Sequence, residues 1–331
     1  MPLIDPRLSV APMMAWTDRH CRFFHRRLTR RTLLYTEMVT TGALLHGDVR
    51  AHLDFDASEH PLALQLGGSE PDDLAACARL AQRWGYDEIN LNCGCPSERV
   101  QRGAFGASLM AEPLLVRDAV RAMRDACELP VTVKHRIGID RVESYAFVRD
   151  FVGTVAQGGA GTFIVHARNA WLQGLSPKEN REIPPLRYEL AYRLKTDFPS
   201  LTIVINGGVV SFDQFDVHRR HVDGVMIGRE AYHNPWLLTD ADRRAFGEPA
   251  AADPVDRWQV AAEMADYARS VVRRGEPLRN VTRHLLGLFN GLPGARRWRQ
   301  ALSDSRRLAA NDPSLIVQAA DGVRPGGRLA A

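Results

Sequence analysis

The feature that most constrains the fold is a regular alternation of short apolar runs with longer amphipathic stretches. The eight runs are Leu8–Met13, Leu33–Met38, Leu62–Leu66, Glu88–Asn92, Val131–Lys134, Thr162–His166, Thr202–Asn206 and Gly224–Ile227. The clearest amphipathic stretches are Pro71–Trp84, Glu112–Cys127, Val142–Gln157 and Pro185–Phe198. Eight strands that alternate with helices predict an α/β fold of the (β/α)8 TIM-barrel type. A doubly wound sheet is the alternative, and it is disfavoured because no GxGxxG turn follows the first run.

A change in composition at residues 246–254 predicts the end of the barrel, because Gly, Pro and Ala replace the strand–helix pattern there. The stretches beyond it that have a helical period are Val255–Arg274, Pro277–Phe289, Gly294–Ala309 and Asp312–Val323. They predict a small C-terminal all-helical bundle. We therefore divide the chain into a barrel domain (1–245), a linker (246–253), a helical domain (254–323) and a disordered tail (324–331).

The composition excludes several classes of protein. Of the 331 residues, 45% are hydrophobic and 25% are charged, as in ordinary globular domains. No apolar run is long enough to cross a bilayer, and the first residues lack the basic-then-apolar pattern of a signal peptide. Five cysteines, with no CxxC pair and no zinc-ligand spacing, fit a reducing compartment better than a disulfide framework. We therefore expect a cytoplasmic protein without a metal and without a membrane partner.

Positive charge is concentrated near the C-terminus. Residues 253–331 contain thirteen Arg and no Lys against eight Asp and Glu, whereas the whole chain has a net charge of only +4. Arginine binds phosphate through a planar pair of N–H donors, so this composition is typical of a surface that contacts nucleic acid. For any single arginine, a solvated helix face is the alternative.

Nearly every predicted strand ends in a polar residue or a glycine. The C-terminal ends of the strands carry the active site in barrel enzymes, so a ring of such residues predicts an active site here. In chain order the ring contains Pro12, Met13 and Met14, Glu37, Gln65, Asn92 with Cys95, Lys134 with Arg136, His166 with Arg168, Asn206 with Gly207 and Gly208, and Gly228 with Arg229.

The end of the fourth strand carries two cysteines on either side of Gly94. Gly94 and Pro96 interrupt the strand, so Cys95 lies in a sharp turn, where we expect a functional thiol. We expect Cys93 to pack as a small buried hydrophobic residue.

The ends of the seventh and eighth strands predict a phosphate site, because glycines there let the backbone approach an anion. Such a site fits FMN, a nucleotide or a sugar phosphate. Lys134 favours a flavin among these ligands, since a cation stabilises a ring that becomes anionic on reduction. A solvated lysine or a Schiff-base nucleophile is the alternative for Lys134.

Two predicted loops at the same end are long. Residues 93–110 follow the fourth strand and are expected to form a mobile lid. Residues 167–185 follow the sixth strand and contain Lys178 and Arg181. Long, charged loops on the active face of a barrel predict recognition of a large ligand.

These residues resemble those of the tRNA-dihydrouridine synthases, most closely the A-type subfamily. The resemblance runs from residue 8 to residue 323, and its most specific motifs are Asn90-Leu-Asn-Cys-Gly-Cys-Pro-Ser97 and Ser176-Pro-Lys-Glu-Asn-Arg181. Other matching segments are Ser9–Met13, Trp16–His20, Leu34–Gly42, Gln65–Gly68, Arg136–Asp140, His166–Arg168, Ile205–Gly208 and Gly228–Arg229.

The resemblance implies a catalytic barrel that binds FMN and a helical domain that binds tRNA. It also implies NADPH-driven reduction of the uracil C5–C6 double bond at uridines 20 and 20a of the tRNA D-loop, with Cys95 as the proton donor. The FMN-binding residues that it implies are Pro12, Met13, Met14, Gln65, Lys134, His166, Asn206, Gly207, Gly208, Gly228 and Arg229. The residues implied to contact uracil or tRNA are Asn92, Arg136, Arg168, Lys178, Arg181, Arg296, Arg297 and Arg299.

Two other functions are consistent with part of the sequence. An FMN barrel that acts on a free pyrimidine, like the dihydroorotate dehydrogenases, explains the polar strand ends but not the Arg-rich C-terminal region. An RNA-binding or chaperone protein without turnover explains the arginines but not the intact flavin-site residues. We expect the protein to be a monomer.

Overall fold

The computed structural model describes residues 4–97, 103–249 and 254–323. Eight parallel strands form one sheet in the order β1-β8-β7-β6-β5-β4-β3-β2. The strands are β1 (Leu8–Val10), β2 (Leu34–Thr40), β3 (Leu62–Gly67), β4 (Glu88–Cys93), β5 (Val131–Arg136), β6 (Thr162–His166), β7 (Thr202–Asn206) and β8 (Gly224–Ile227). A parallel bridge between Ser9 and Leu33 joins the first strand to the chain that enters the second. The prediction of a (β/α)8 barrel is therefore confirmed.

Helices connect most of the strands and form the C-terminal region. Among the described residues they are α1 (Arg19–Arg26), α2 (Thr41–His46), α3 (Val49–Leu53), α4 (Pro71–Trp84), α5 (Pro113–Ala126), α6 (Tyr145–Ala156), α7 (Tyr188–Asp197), α8 (Phe212–Arg219), α9 (Arg229–His233), α10 (Ala241–Phe246), α11 (Arg257–Arg273), α12 (Arg279–Thr282), α13 (Ala295–Ser303), α14 (Ser305–Ala309) and α15 (Ser314–Asp321). In α4, Pro71 occupies the first turn, where its missing N–H leaves no hydrogen bond unmade. Gly85 ends this helix in the left-handed conformation, at φ 88°.

Side chains from alternate strand positions fill the barrel interior. The apolar layer contains Ala11, Leu33, Tyr35, Ala63, Ile164, Val204 and Met226. Because side chains alternate across a strand, a residue two positions further along the same strand faces the same interior. This alternation places Gln65, His166, Asn206 and Gly228 inside the C-terminal end of the barrel, directly beyond the apolar layer.

The second compact unit is helical and combines Trp16–Arg31 with the described chain from Arg229 onward. Within it, the ring of Phe23 stacks on Tyr267 with ring centroids 4.0 Å apart. Trp298 is fully buried, and its Nε1 donates to the carbonyl oxygen of Leu285 at 2.9 Å. The helical C-terminal region is confirmed. The same unit includes α1, α9 and α10.

Two of the predicted C-terminal helices are shorter than expected. The stretch Pro277–Phe289 is α-helical only at Arg279–Thr282 and continues as turns, where Gly287 disfavours a helix. The stretch Gly294–Ala309 is divided at Asp304, whose backbone is extended. The Asp304 side chain accepts two backbone N–H groups of the following helix, so it begins a new helix rather than continuing the first.

Across the described ranges, no helix has the length and apolar character needed to span a membrane. The same residues contain no group of three or more His, Cys, Asp or Glu side chains that could hold a metal ion. The predicted tail (324–331) and part of the predicted lid (98–102) lie outside the described residues.

Two barrel glycines give a matched test of this packing. A Cβ added at Gly224 would lie 2.0 Å from the carbonyl oxygen of Pro6, whereas one added at Gly161 meets nothing within 4 Å. We expect Gly224→Ala to lower the free energy of unfolding by about 1–3 kcal/mol. Gly161→Ala should change it by less than about 0.5 kcal/mol. Denaturant unfolding of both variants measures this, and equal effects would contradict the close approach of Pro6 to β8.

Candidate active site

The turn after β4 is held by hydrogen bonds from three sides. The Oδ1 atom of Asn92 accepts the backbone N–H groups of Gly94 at 3.1 Å and Cys95 at 3.0 Å. The carbonyl oxygen of Cys95 accepts from the N–H of Ala107 at 2.9 Å. The carbonyl oxygen of Gly94 accepts from Nε of Arg136 at 3.1 Å. The Cys95 thiol therefore lies on a fixed backbone at the C-terminal end of the barrel.

The two cysteines of this motif have different surroundings. Cys93 is fully buried on the side of β4 that faces away from the interior, and burial raises the pKa of its thiol. Cys95 is half-buried, and its Sγ lies 3.6 Å from Oγ of Ser97. All five cysteines of the described chain are thiols. Of the two in the motif, Cys95 is the thiol that a ligand at the barrel mouth could reach.

Gln65 lies inside the barrel next to Asn92. Its Oε1 accepts from Nδ2 of Asn92 at 2.9 Å, and its Nε2 donates to Oδ1 of Asn90 at 2.8 Å. Asn90 is not a member of the predicted ring of strand ends. A signal for it exists in the sequence, because Glu88, Asn90 and Asn92 occupy alternate positions of one strand and so face the same interior.

Arg136 connects loops that are distant in sequence. Its guanidinium donates to the carbonyl oxygens of Gly94 at 3.1 Å, Asn169 at 3.0 Å and Asn180 at 2.8 Å. Burial lowers the pKa of Arg136 to about 10, so the side chain stays charged at neutral pH. The residue implied to contact uracil therefore also fixes the loops that follow β4 and β6.

The loop after β6 is organised by Asn180, whose side chain is fully buried. Its Oδ1 accepts from the N–H of Trp171 at 2.7 Å, and its Nδ2 donates to the carbonyl oxygens of Trp171 at 2.9 Å and Leu175 at 3.1 Å. The neighbouring side chains of Lys178 and Arg181 are exposed. These two charges were predicted from the sequence, whereas the asparagine that holds their loop in place was not.

Arg168 lies at the start of the same loop. Its guanidinium donates to the carbonyl oxygens of Glu182, at 3.3 Å, and Pro184. It therefore joins the beginning of the loop to its end.

Lys134 and His166 are strand-end side chains inside the barrel, and neither has a hydrogen-bond partner among the described residues. Within the described parts of the chain, no hydrogen bond joins the Nζ of Lys134 or the ring nitrogens of His166 to another group. Burial, then the charge of Arg136, lowers the pKa of Lys134 to about 7. Burial and the charges of Arg136, Lys134, Arg168 and Arg181 hold the pKa of His166 well below its usual range. This end of the barrel is electropositive, and it favours an anionic ligand.

Three glycines follow β7 and β8, and the two after β7 lie under a side chain, since a Cβ added at Gly207 or Gly208 would be 2.8 Å or 2.6 Å from Leu186. Gly207 and Gly208 have φ values of 119° and 72°, which residues with a side chain rarely adopt. A Cβ added at Gly228 would meet only Cβ of Ala11, at 3.9 Å. The side chain of Asn206 is buried and donates from Nδ2 to the carbonyl oxygen of Met226 at 2.8 Å.

The remaining predicted cofactor residues lie at the ends of the first and last strands. Pro12 and Met13 are half-buried, and Met13 packs against the apolar layer of the barrel. Met14 is 61% exposed. Arg229 directly follows Gly228 in the chain, begins α9 and belongs to the helical unit by its contacts.

Three of the predicted tRNA-contacting residues lie on α13. The side chains of Arg296, Arg297 and Arg299 are exposed, whereas Trp298 between them is fully buried. Arg299 also donates to Oδ1 of Asn290 at 3.0 Å. The helix thus anchors its indole inside the unit and presents its guanidinium groups to solvent.

Known proteins are similar to this chain over nearly its full length. The sequence model of the Dihydrouridine synthase (Dus) family matches residues 9–322. The tRNA-dihydrouridine(20/20a) synthase of Pseudomonas putida is 59% identical over 315 residues, which cover 95% of this chain and 93% of that protein. Proteins of the same name from Vibrio parahaemolyticus and Pseudomonas aeruginosa are 59% and 58% identical. These matches cover 90% and 96% of this chain, and 91% and 95% of the two relatives.

The unpartnered lysine leads to a prediction about stability and pH. The pKa of Lys134 is about 7 in the folded protein and 10.5 ordinarily, so between these values the unfolded chain binds a proton that the folded chain lacks. The penalty for burying Lys134 is therefore fully present below pH 7 and is lost as the pH rises towards 10.5. In ligand-free protein, Lys134→Met should raise the melting temperature most at neutral and lower pH.

Thermal unfolding between pH 6 and pH 10 measures this effect, with the exposed Lys178→Met as the matched control. The gain for Lys134→Met should shrink as the pH rises, and the control should match the parent protein throughout. A melting temperature for Lys134→Met equal to that of the parent at every pH would contradict the burial argument.

Proposed function

Because the chain belongs to the dihydrouridine synthase family, we propose that it reduces the C5–C6 double bond of uridine in tRNA to give dihydrouridine. We further propose that the target uridines are positions 20 and 20a of the D-loop, as the names of the similar proteins indicate for those proteins. FMN is the proposed cofactor, NADPH the proposed reductant and the cytoplasm the proposed location. The observation that carries the proposal is the fixed Cys95 turn beside an electropositive barrel mouth in a chain that matches the family from residue 9 to 322.

The residues at the barrel mouth fit FMN. Lys134 and His166 have polar atoms without a protein partner in the described chain, and both face the interior where a ring system would lie. Gly228 leaves room for a phosphate close to its backbone, since an added Cβ there would meet only Cβ of Ala11, and Gly207 and Gly208 are the other proposed backbone contacts. When bound, FMN supplies the hydride that uracil C6 receives.

The remaining proposed cofactor contacts are Pro12, Met13, Met14, Gln65, Asn206 and Arg229, at the ends of other strands. Among them, Gln65 has a fixed orientation because its amide is held by Asn90 and Asn92. Asn206 is likewise held by its hydrogen bond to the backbone of β8. A cofactor would therefore meet amide groups whose orientation is set before it binds.

Cys95 is the proposed general acid. Reduction of the double bond requires a proton at uracil C5, and the Sγ–H of Cys95 is the thiol available at this end of the barrel. The hydrogen bonds of Asn92, Ala107 and Arg136 to its turn fix the backbone that carries the thiol. Such fixation keeps the donor in position without reorganisation during the reaction.

Asn92, Arg136 and Arg168 are the proposed residues of the uracil pocket. Each of them already holds a loop at the barrel mouth through hydrogen bonds to backbone groups. Their charge and N–H groups would stabilise the negative charge that develops on the uracil carbonyl side during reduction. They would also keep the pocket open for a base that has been turned out of the folded tRNA.

Two exposed sets of cations are proposed to contact the tRNA backbone. Lys178 and Arg181 lie on the loop after β6. Arg296, Arg297 and Arg299 lie on α13 of the helical unit, which we propose as the tRNA-binding domain. Contacts of this kind position the RNA and carry little sequence information. We propose that the protein acts as a monomer.

The first prediction of this function concerns the acid. With FMN, NADPH and tRNA that lacks dihydrouridine, the protein should form dihydrouridine at positions 20 and 20a. Cys95→Ala should lower the rate of tRNA reduction by about 10²- to 10⁴-fold, the range for loss of a general acid. NADPH should still reduce its flavin.

Cys93→Ala is the matched control, because it removes a thiol two residues away that is fully buried. It should reduce tRNA at close to the parent rate. Mass-spectrometric mapping of the modified nucleotides and stopped-flow flavin absorbance measure the two reactions. Equal losses in the two variants, or reduction of a free pyrimidine in preference to tRNA, would reject the proposal.

The second prediction concerns the arginines of α13. Replacement of Arg296, Arg297 and Arg299 by Ala should raise the KM for tRNA and leave kcat unchanged, because these residues are proposed to bind backbone phosphates and not the reacting base. The slope of log KM against log salt should become shallower by about 0.7–0.9 for each phosphate that the variant no longer binds.

Arg149→Ala is the control, since Arg149 is exposed on α6 and pairs with Asp150 at 2.7 Å. It should leave both the KM and its salt dependence unchanged. Steady-state kinetics at several salt concentrations test this expectation. The same KM in the triple variant and the parent would reject the role of α13.

A further inference from the structure

A continuous line of hydrogen bonds runs inside the barrel from the Cys95 turn to the first residue of β4. Nδ2 of Asn92 donates to Oε1 of Gln65 at 2.9 Å, and Nε2 of Gln65 donates to Oδ1 of Asn90 at 2.8 Å. Nδ2 of Asn90 then donates to Oγ1 of Thr132 at 2.9 Å, and this hydroxyl donates to Oε1 of Glu88 at 2.7 Å. We call these five residues, Asn92, Gln65, Asn90, Thr132 and Glu88, the polar chain.

The polar chain has a single direction. At its upper end it begins with the backbone N–H groups of Gly94 and Cys95, which can only donate, so Asn92 must turn its oxygen toward them. Each later amide then receives a hydrogen bond on its oxygen and passes one on from its nitrogen. At the lower end, Oε1 of Glu88 accepts. The two ends therefore demand the same orientation of every amide between them, and no member is left without its required partner.

The hydroxyl of Thr132 is the link that sets this direction at the lower end. It has one hydrogen, and the oxygen of Glu88 at 2.7 Å lies closer than the carbonyl oxygen of Ile89 at 3.4 Å. Because this hydrogen is donated to Glu88, Oγ1 can only accept from Asn90. Asn90 must therefore turn its Nδ2, and not its Oδ1, toward Thr132.

Glu88 is a fixed acceptor in both of its protonation states. Its Oε1 receives hydrogen bonds from Thr132 at 2.7 Å and from the hydroxyl of Tyr35 at 2.6 Å. Burial raises the pKa of Glu88 to about 7. A proton on this carboxyl would lie on Oε2, since both donors point at Oε1, so the direction of the polar chain would not change.

Apolar side chains could fill this layer of the barrel without any need for hydrogen bonds. A buried polar chain that loses one member leaves amide groups unsatisfied, which lowers the stability of the fold. All of its members have less than a tenth of their surface exposed, and its upper end is the backbone of Cys95. Such an arrangement is functional if the orientation of the Asn92 amide determines the position of the Cys95 thiol.

We propose that Thr132, Asn90 and Glu88 are positioning residues for Cys95, which act through the orientation of the Gln65 and Asn92 amides. This inference rests on the proposed function in one respect, since it takes Cys95 to be the proton donor. Loss of the Thr132 hydroxyl leaves Nδ2 of Asn90 without its acceptor, so the Asn90, Gln65 and Asn92 amides are fixed only from the upper end. The hold of Asn92 on the Cys95 turn is then looser, and the turn depends more on its hydrogen bonds to Ala107 and Arg136.

Thr132→Val tests the proposal in the full-length protein, because valine keeps the shape of the side chain and removes only the hydroxyl. The first measurement is the rate at which iodoacetamide alkylates Cys95, followed by peptide mass spectrometry. Cys127 serves as the internal reference, since it is half-buried and hydrogen-bonds to Met123 on α5, outside the polar chain. In Thr132→Val, we expect iodoacetamide to alkylate Cys95 several-fold faster than in the parent protein. It should alkylate Cys127 at the parent rate.

The second measurement is tRNA reduction per bound flavin. We expect Thr132→Val to lower kcat on the order of tenfold, the effect of one neutral hydrogen bond, with the KM for tRNA unchanged. Thr132→Ser restores the hydroxyl and should return both readouts to the parent values. Thr162→Val makes the same change on β6, at a half-buried side chain with no hydrogen bond in the described structure, and should leave both unchanged.

The results separate this inference from the proposed function. If the parent protein forms no dihydrouridine, the proposed function fails, and the alkylation rates still decide whether the polar chain holds Cys95. Parent-like alkylation of Cys95 in Thr132→Val would overturn the positioning role. Equal changes in Thr132→Val and Thr132→Ser, or in Thr132→Val and Thr162→Val, would also overturn it, because the effect would then not depend on the hydroxyl.

Discussion

A closed barrel can bury polar groups only if it pairs them, and this constraint determines most of the site. The interior of this barrel contains amides, a hydroxyl, a carboxyl group and a guanidinium group. Arg136 is satisfied by three carbonyl oxygens and Gln65 by two asparagines. By contrast, no hydrogen bond joins the polar side-chain atoms of half-buried Lys134 and His166 to another group of the described chain.

The same constraint explains why stability and function oppose each other at the barrel mouth. Lys134 and His166 are half-buried, and desolvation together with neighbouring positive charges lowers the pKa values of both. Such a cluster disfavours the empty folded protein and favours an anion that enters it. The loops that surround the cluster are therefore held by many backbone hydrogen bonds, with Arg136 and Asn180 as their centres.

Much of this arrangement could be predicted from the sequence, because it follows from the period of the strands. The eight apolar runs predicted the strands to within a few residues. The polar positions of β4 could also have been placed inside the barrel, since Glu88, Asn90 and Asn92 alternate with isoleucine and leucine. The predicted ring was limited to the ends of the strands and so did not reach Glu88 or Asn90. The role of Arg136 could not be predicted, because its partners lie 33 to 44 residues away on loops whose paths have no local signal.

In the helical unit, Trp298 has a consequence for the energetics of binding. Its indole is fully buried and hydrogen-bonded, so the helix that carries Arg296, Arg297 and Arg299 is anchored before any ligand binds. A polyanion that binds there has to restrict only the guanidinium side chains, each of which carries about 2 kcal/mol of rotamer entropy. The hydrogen bond from Arg299 to Asn290 already restricts the rotamers of the Arg299 side chain before binding. Preordering of this kind lowers the entropic penalty of association without adding a single contact.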